Sequence, residues 1–372
     1  MANLLALCPY VAYRNEELLK DCVLVPYAFM TELGYDVTVM TAQKEEFTYL
    51  DQLPGLKLDI VPTCPLEQWA DYLVTYLKDY SKDIDVLFLF GMYGTYYPVV
   101  KYFKERYRGK IILKADANSQ WVNDIINPNL SIFDYLIKNC DIISCEGSAM
   151  QNYLAKKWRR PVELIRNGSL KRDFNLELSP KIKDKVIINV GSQEAGRKNT
   201  PLLIQAFMNV CFDFPEWKLE LIGPVDSTIT ELVASIYKTH PALRKRLLLL
   251  GPIKDKAQLE RHYQKARIYL STSLQEGSPN SIAEALRNGC YVLTSKIDIW
   301  QDTFAPKAGA SFEHGNLAEL VSKLRYALSQ PQLLEDAFEL NRAYSLKELI
   351  YEDEVRRYQL LLDYQNTSTR QD

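Results

Sequence analysis

Short apolar runs recur along the first half of the chain, at residues 4–7, 36–40, 58–61, 85–90, 110–113, 141–144 and 162–165. They lack strict alternation, which is how strands buried on both faces of a parallel sheet read. Between them the apolar spacing turns helical, at residues 21–33, closed by Gly34 as a C-cap, and at 66–80. The alternation then starts afresh, with strands expected at 186–190, 219–222, 247–250, 268–270 and 291–294 and a helix at 201–211. The pattern predicts an α/β protein of two successive Rossmann-like, doubly wound domains. The charged stretch 171–185, interrupted by Pro180, reads as the linker, dividing the chain into 1–170 and 171–345. Residues 346–364 have helical periodicity with a charged face, and the tail 365–372 has almost nothing to bury, so it should fray. Open α/β sheets bind ligands outside the carboxyl ends of their strands, so function is to be sought in the strand-to-helix loops.

Composition removes several classes of function. The 372 residues hold 45 Lys+Arg against 47 Asp+Glu, a formal charge of −2, without the basic surplus that tracking a nucleic-acid backbone needs. His240, His262 and His314 form no His-Glu-x-x-His motif, and no Cys-x-x-Cys pair exists, so no metal site is expected. The seven cysteines are scattered, as in a reduced cytosolic chain. The apolar start lacks a basic leader and reads as a first strand, and the uncharged stretch 86–100 is too short and too rich in Gly and Pro to span a bilayer. Asp83 and Asp85 spell an Asp-x-Asp but precede a strand, and read as its entry loop.

The stretch 274–295, LQEGSPNSIAEALRNGCYVLTS, carries the most chemistry. Ser278 is a plausible N-cap with Pro279 as first helical residue, and Asn288-Gly289 closes the helix. A loop entering a helix offers free amides to a phosphate or to sugar hydroxyls. Glu276 ends that loop and Glu284 follows on the helix, so two carboxylates can lie along one ligand, each able to accept two hydroxyl hydrogen bonds. The competing reading is a capping box of Glu284 with Ser281, beside a surface acid at Glu276.

Glu276-Gly277, Glu284-Ala285, Gly289 and the strand 292–295 together resemble the Glu-x7-Glu signature of family-4 retaining glycosyltransferases of the GT-B fold. Val190-Gly191, Arg197-Lys198-Asn199 and the helix 202–207 resemble the same family's phosphate-binding block. Leu221-Ile222-Gly223-Pro224 and Leu250-Gly251-Pro252-Ile253 resemble its two glycine-ended strands around the nucleobase, and Ile165-Arg166-Asn167-Gly168 its hinge. The resemblance implies two Rossmann-like domains facing a central cleft, acceptor in the first and donor in the second, with a C-terminal helix, 346–372, crossing back to the first domain. It implies a nucleotide-diphosphate sugar, UDP-sugar favoured, whose ribose is held by Glu284. The donor sugar would be held by Glu276 with the backbone of Gly277, Ser278, Pro279 and Asn280, Gly223 and Ile253 would line the base, and Arg197 and Lys198 would neutralise the leaving diphosphate. A solvated basic turn is the plainer account of Arg197 and Lys198.

The chain departs from the family at Ser192, which replaces an arginine, and at the hinge, where Ser169-Leu170 replaces the common valine and aspartate. It lacks the first glycine-rich loop, where Cys8-Pro9-Tyr10 leads toward Lys20, making Tyr10, Tyr13 and Lys20 the acceptor-side candidates. Asp116 stands where a histidine is common, either contacting the donor sugar or capping the next helix. In such retaining enzymes the leaving phosphate itself takes the acceptor proton, so no cofactor and no triad is expected. Basic clusters at Lys101, Lys104, Arg106, Arg108, Lys110 and at Lys156, Lys157, Arg159, Arg160 could meet the inner, anionic face of a membrane, or could be solvated helix faces. The expected function is transfer to a glycan or lipid-linked acceptor in surface polysaccharide or glycoconjugate synthesis, in the cytoplasm. A noncatalytic partner subunit and a sugar-nucleotide epimerase of the same fold are the alternatives.

Overall fold

A computed structural model describes residues 1–126, 130–277, 279–296 and 304–368. The chain divides into two compact units, Met1–Leu170 with Ile350–Asp372, and Lys171–Leu349. In the first, β1 (Asn3–Leu7), β2 (Asp36–Ala42), β3 (Lys57–Val61), β4 (Val86–Phe90), β5 (Lys110–Lys114), β6 (Ile142–Cys145) and β7 (Glu163–Leu164) form one sheet in the order β3-β2-β1-β4-β5-β6-β7. Every pairing is parallel, and β1, β4 and β5 are almost wholly buried, which explains their continuous apolar runs. Asp85 serves the entry to β4: its carboxylate accepts the Asn3 amide at 2.7 Å.

The C-terminal helix Tyr351–Ser368 belongs to this unit. It starts later than the sequence periodicity suggests, because Ile350 bridges Ser169 and the Tyr351 amide donates to the Ser169 carbonyl at 3.1 Å, interrupting helical structure after Glu348. It runs on to Ser368 through part of the stretch expected to fray, and residues 369–372 lie outside the described ones. Tyr358 stacks on Phe29 at 5.9 Å, Tyr35 donates to Gln359 at 2.7 Å, and Arg356 pairs with Glu32. The helix thus buries its apolar face on the helix Asp21–Leu33.

The second unit has six parallel strands: β8 (Val186–Val190), β9 (Lys218–Ile222), β10 (Leu247–Gly251), β11 (Ile268–Ser271), β12 (Tyr291–Ser295) and β13 (Gly309–Phe312), in the order β10-β9-β8-β11-β12-β13. The edge strand β13 reads Gly-Ala-Ser-Phe and has no apolar run to announce it. The stretch 171–185 is not a free linker. Phe174 and Leu178 are buried, and the buried Lys183 donates to the Ala266 carbonyl at 2.5 Å and the Tyr263 carbonyl at 3.4 Å. An ammonium there answers the last carbonyls of the helix Lys256–Lys265. The fully buried Asn341 ties three segments together: it donates to the carbonyls of Cys290 (2.7 Å) and Ala308 (2.9 Å) and accepts the Ala305 amide (3.1 Å). Among the described residues, no helix is long and apolar enough to cross a membrane.

Two outcomes follow from this packing. Asn341→Leu strands three buried backbone groups and should destabilise the second unit by about 3 kcal/mol, read from urea unfolding followed by proteolysis of that unit. Burial pushes the Glu354 carboxyl in the C-terminal helix up to about 7, against the opposing pull of Arg357. Its contribution to stability is therefore complete below the ordinary carboxylate range and is lost as pH rises through about 7. Glu354→Gln should flatten the fall in melting temperature between pH 5 and 8, a difference on the order of 3 kcal/mol at the alkaline end.

Candidate functional site

The carboxyl ends of β8, β9 and β10 meet through backbone. The Gly191 amide donates to the Ile222 carbonyl and the Gly223 amide to the Gly251 carbonyl, each at 2.9 Å. Gly223 has φ 129°, and a Cβ there would lie 2.0 Å from the Gly191 carbonyl oxygen, so only glycine fits. The loop that follows β8 is pinned by Gln193, which is fully buried and donates to the Gly191 carbonyl and to Asn189 Oδ1, both at 2.9 Å. Sequence reasoning passed over Gln193; its only signal is a long polar side chain directly after a buried strand.

The same loop then crosses to the one after β11. The Leu274 amide donates to the Arg197 carbonyl at 2.7 Å, and the Thr272 hydroxyl donates to the carbonyls of Lys198 (3.0 Å) and Asn199 (2.9 Å). Asn199, left-handed at φ 48°, turns the chain into the helix Thr200–Val210. Arg197 Nη1 reaches Glu276 Oε1 at 3.0 Å, and Lys198 Nζ bonds the same oxygen. The two cations therefore converge on a carboxylate that is 9% exposed, Lys198 from a mostly covered position and Arg197 from the exposed part of the turn. Lys198 also lies against Gly191, whose Cβ would stand 3.6 Å from Nζ.

Glu284 sits on the helix Asn280–Arg287, which begins one residue later than expected, with Pro279 as an N-cap that has no side chain to offer. There is no capping box at Ser281: that hydroxyl bonds Tyr269 at 2.8 Å, and the Glu284 carboxylate pairs with Lys256. Burial opposes the charge on Glu284, but Lys256 and Arg287 outweigh it and hold the carboxyl below its ordinary range. Lys256 opens the helix after β10 and went unnoticed in the sequence, where it is one lysine in a charged run. The buried Tyr269 hydroxyl is pushed up by burial and by both Glu276 and Glu284, so the two acids flank one buried group. The buried Asn280 Oδ1 has no hydrogen-bond partner among the described residues. Gly277 lies on the loop beside Glu276, Ile253 is half-buried after β10, and Ser278 lies outside the described residues.

The remaining candidates belong to the first unit. Asp116 follows β5 in left-handed geometry, φ 40°, and is not the cap of the next helix: Asn118 is, accepting the Trp121 amide at 2.8 Å. Tyr13, at 1% exposure, is a core residue and does not face a ligand as an acceptor contact would. Its ring meets the half-buried Tyr10 edge-on at 5.7 Å, and Tyr10 meets Tyr93 at 6.3 Å. Tyr93 and Trp121, absent from the candidates, extend this aromatic group at 5.9 Å. Lys20 is exposed and pairs with Glu17 at 3.1 Å.

Residues 184–330 match the family model of the glycosyl transferases group 1. Over 184 residues, 49% of the chain, it is 26% identical to the phosphatidylinositol N-acetylglucosaminyltransferase gpi3 subunit of Schizosaccharomyces pombe. Over 177 residues, 44% of the chain, it is 28% identical to the poly(glycerol-phosphate) alpha-glucosyltransferase of Bacillus subtilis. The matched parts span 38% and 25% of those relatives' own lengths. In fold it is similar to sucrose-phosphate synthase from Thermosynechococcus elongatus, with a TM-score of 0.76 at 14% identity over 99% of this chain and 100% of that one. It is also similar to Anabaena HepE in complex with UDP-glucose, with a TM-score of 0.70 at 15% identity over 99% and 100% of the two chains. The fold is GT-B, and within it residues 184–330 are similar to the glycosyl transferases group 1.

Proposed function

We propose that the chain is a retaining, metal-independent glycosyltransferase that moves a sugar from a UDP-sugar to a glycan or lipid-linked acceptor in glycoconjugate or surface polysaccharide synthesis. The observation that carries this reading is the pair of carboxylates at one edge of the second sheet, each already matched to cations: Glu276 to Arg197 and Lys198, Glu284 to Lys256. A diphosphate arriving there meets two positive groups whose present partner is an acid that sugar hydroxyls can take over. Glu284 then accepts the ribose diol, its low pKa keeping it ionised as an acceptor. The amides of Gly277 and Asn280, with the unpartnered Asn280 Oδ1, are the groups offered to the sugar hydroxyls, and Gly223 and Ile253 border the base. Arg197 and Lys198 stabilise charge that grows on the departing phosphate, the step at which preorganised charge acts most strongly. That phosphate takes the acceptor's proton, so the chain supplies no base. UDP is favoured because a neighbour of the same fold holds UDP-glucose.

In this reading the first unit takes the acceptor, with Tyr10, Lys20 and Asp116 as its candidate contacts. Peripheral membrane contact has a basis in the same unit. Lys104, Lys110, Lys157, Arg159 and Arg160, from two basic clusters distant in sequence, line one groove of about 1140 Å³. Asp141 pairs with Lys104 at 2.6 Å and with Lys110 at 3.7 Å, which leaves the second cluster to supply most of the unmatched charge.

Calorimetry against UDP, GDP and dTDP sugars should give binding to a UDP-sugar, weakened at least ~10-fold in Glu284→Ala, which loses charge-assisted hydrogen bonds. Binding by none of these donors, or a Glu284→Ala variant that binds like wild type, removes the reading. Arg197→Ala with Lys198→Ala should lower turnover of the bound donor by ~100-fold or more. Gly223→Ala must displace the Gly191 carbonyl and should weaken donor binding while the first unit melts as before.

A further inference from the structure

Glu284 is the acid assigned above to the ribose, yet the ammonium of Lys256 already bonds its Oε1. Both residues belong to the second unit: Lys256 opens the helix Lys256–Lys265, just beyond Ile253, and Glu284 lies on the helix Asn280–Arg287. The cap of the first helix is Asp255, whose carboxylate accepts the amides of Ala257 (2.9 Å) and Gln258 (3.3 Å), so that acid does not compete for the lysine. Two cations, Lys256 and Arg287, hold the Glu284 carboxyl below its ordinary range, and they are placed differently. The Arg287 side chain is 5% exposed and bonds Glu260 at 2.5 Å, whereas the side chains of Lys256 and Glu284 are 26% and 15% exposed. Among the described residues Lys256 Nζ bonds Glu284 alone, which leaves two of its three protons to be placed.

We propose that Lys256 is a donor-binding residue: its ammonium donates to an oxygen of the ribose diol whose protons Glu284 accepts, and the pair selects ribonucleotide over deoxyribonucleotide donors. It rests on the transferase reading above, which supplies the nucleotide. The physical basis is polarity. A carboxylate only accepts, so alone it takes the hydroxyl protons and leaves the hydroxyl oxygens without a donor. An ammonium only donates, and beside the carboxylate it fills those lone pairs. Neither group has to leave the other, because a carboxylate oxygen takes more than one hydrogen bond and the ammonium has protons beyond the one on Glu284. Hydrogen bonds to ionised groups are the stronger kind, and a ligand that lacks one hydroxyl leaves a partly covered charge facing a C–H. As a device for stability alone the pair has little to offer, since ion pairs that stay partly exposed contribute little. Its value lies in presenting a donor and an acceptor side by side.

Calorimetry of the full chain with UDP, 2′-deoxy-UDP and 3′-deoxy-UDP is the test. At about pH 7 wild type should bind UDP ~10-fold or more tighter than at least one deoxy analogue, and Lys256→Met should still bind UDP but with that preference reduced to ~3-fold or less. The titrations are repeated at about pH 9, where the Glu284 carboxyl is ionised without help from a lysine. A contact made by Lys256 itself is still missing there, so the preference of Lys256→Met stays low. Its recovery at the higher pH would mean that the lysine serves only to keep Glu284 ionised, and overturns the proposal. An unchanged preference in Lys256→Met at the lower pH, or a wild type that binds UDP and both analogues alike, also overturns it and leaves the transferase reading standing. If Lys256→Met does not fold, Lys256→Gln takes its place: neutral but with two N–H donors, it should retain only part of the preference, and an unchanged preference overturns the proposal there too. Absence of UDP binding by wild type is the separate result that removes the transferase reading, and this inference with it.

Discussion

The second unit depends on one shared oxygen. Glu276 Oε1 receives both Arg197 and Lys198, and this contact joins the loop after β8 to the loop after β11. Neither loop has regular structure of its own there, so their mutual position is set by these ion pairs and by backbone bonds from Leu274 and Thr272. Because Glu276 and Lys198 are largely buried, their attraction is little screened, while the exposed Arg197 is held more loosely to the same oxygen. Preorganisation of this kind is what the proposed role, stabilising a leaving diphosphate, would require.

Around that contact the sheet does geometric work. Parallel strands end their carbonyls and begin their loops on one edge, and glycines allow those loops to touch backbone to backbone. Gly223 against Gly191 is the tightest such approach, and the buried amide of Gln193 takes up the carbonyls the turn would leave open. The first unit solves a different problem at the equivalent edge. It lacks a glycine-rich turn after β1 and instead gathers tyrosines and a cluster of one buried lysine with two buried acids and the half-buried Asp116.

Much of this was legible in the residues. Continuous apolar runs identified every described strand but β13, where Gly, Ala and Ser precede a single Phe at a sheet edge. The helix Asp21–Leu33 was readable because Gly34 ends it in left-handed geometry. Spacing singled out Glu276 and Glu284 but left Glu284 open to a capping role, since Ser281 stands at the right distance in sequence. Tyr269 decided that question by taking the Ser281 hydroxyl. The stretch 171–185 begins where the two units divide, but its charge density did not show that Lys183 would be buried with its Nζ on backbone carbonyls.

The sequence by itself determined the periodicities, the glycine-ended strands and the acids and bases grouped within a few residues, because those depend on local sterics and on which side chains must avoid water. Tertiary structure alone decided the partners. Lys256 reaches Glu284 across 28 positions, and Lys114 reaches Asp21 and Glu146 from elements far apart in the chain. Such pairs carry no local signal: they exist because the order of the sheet brings particular strand ends together, and charge interactions act through that distance in space, whatever the separation along the chain.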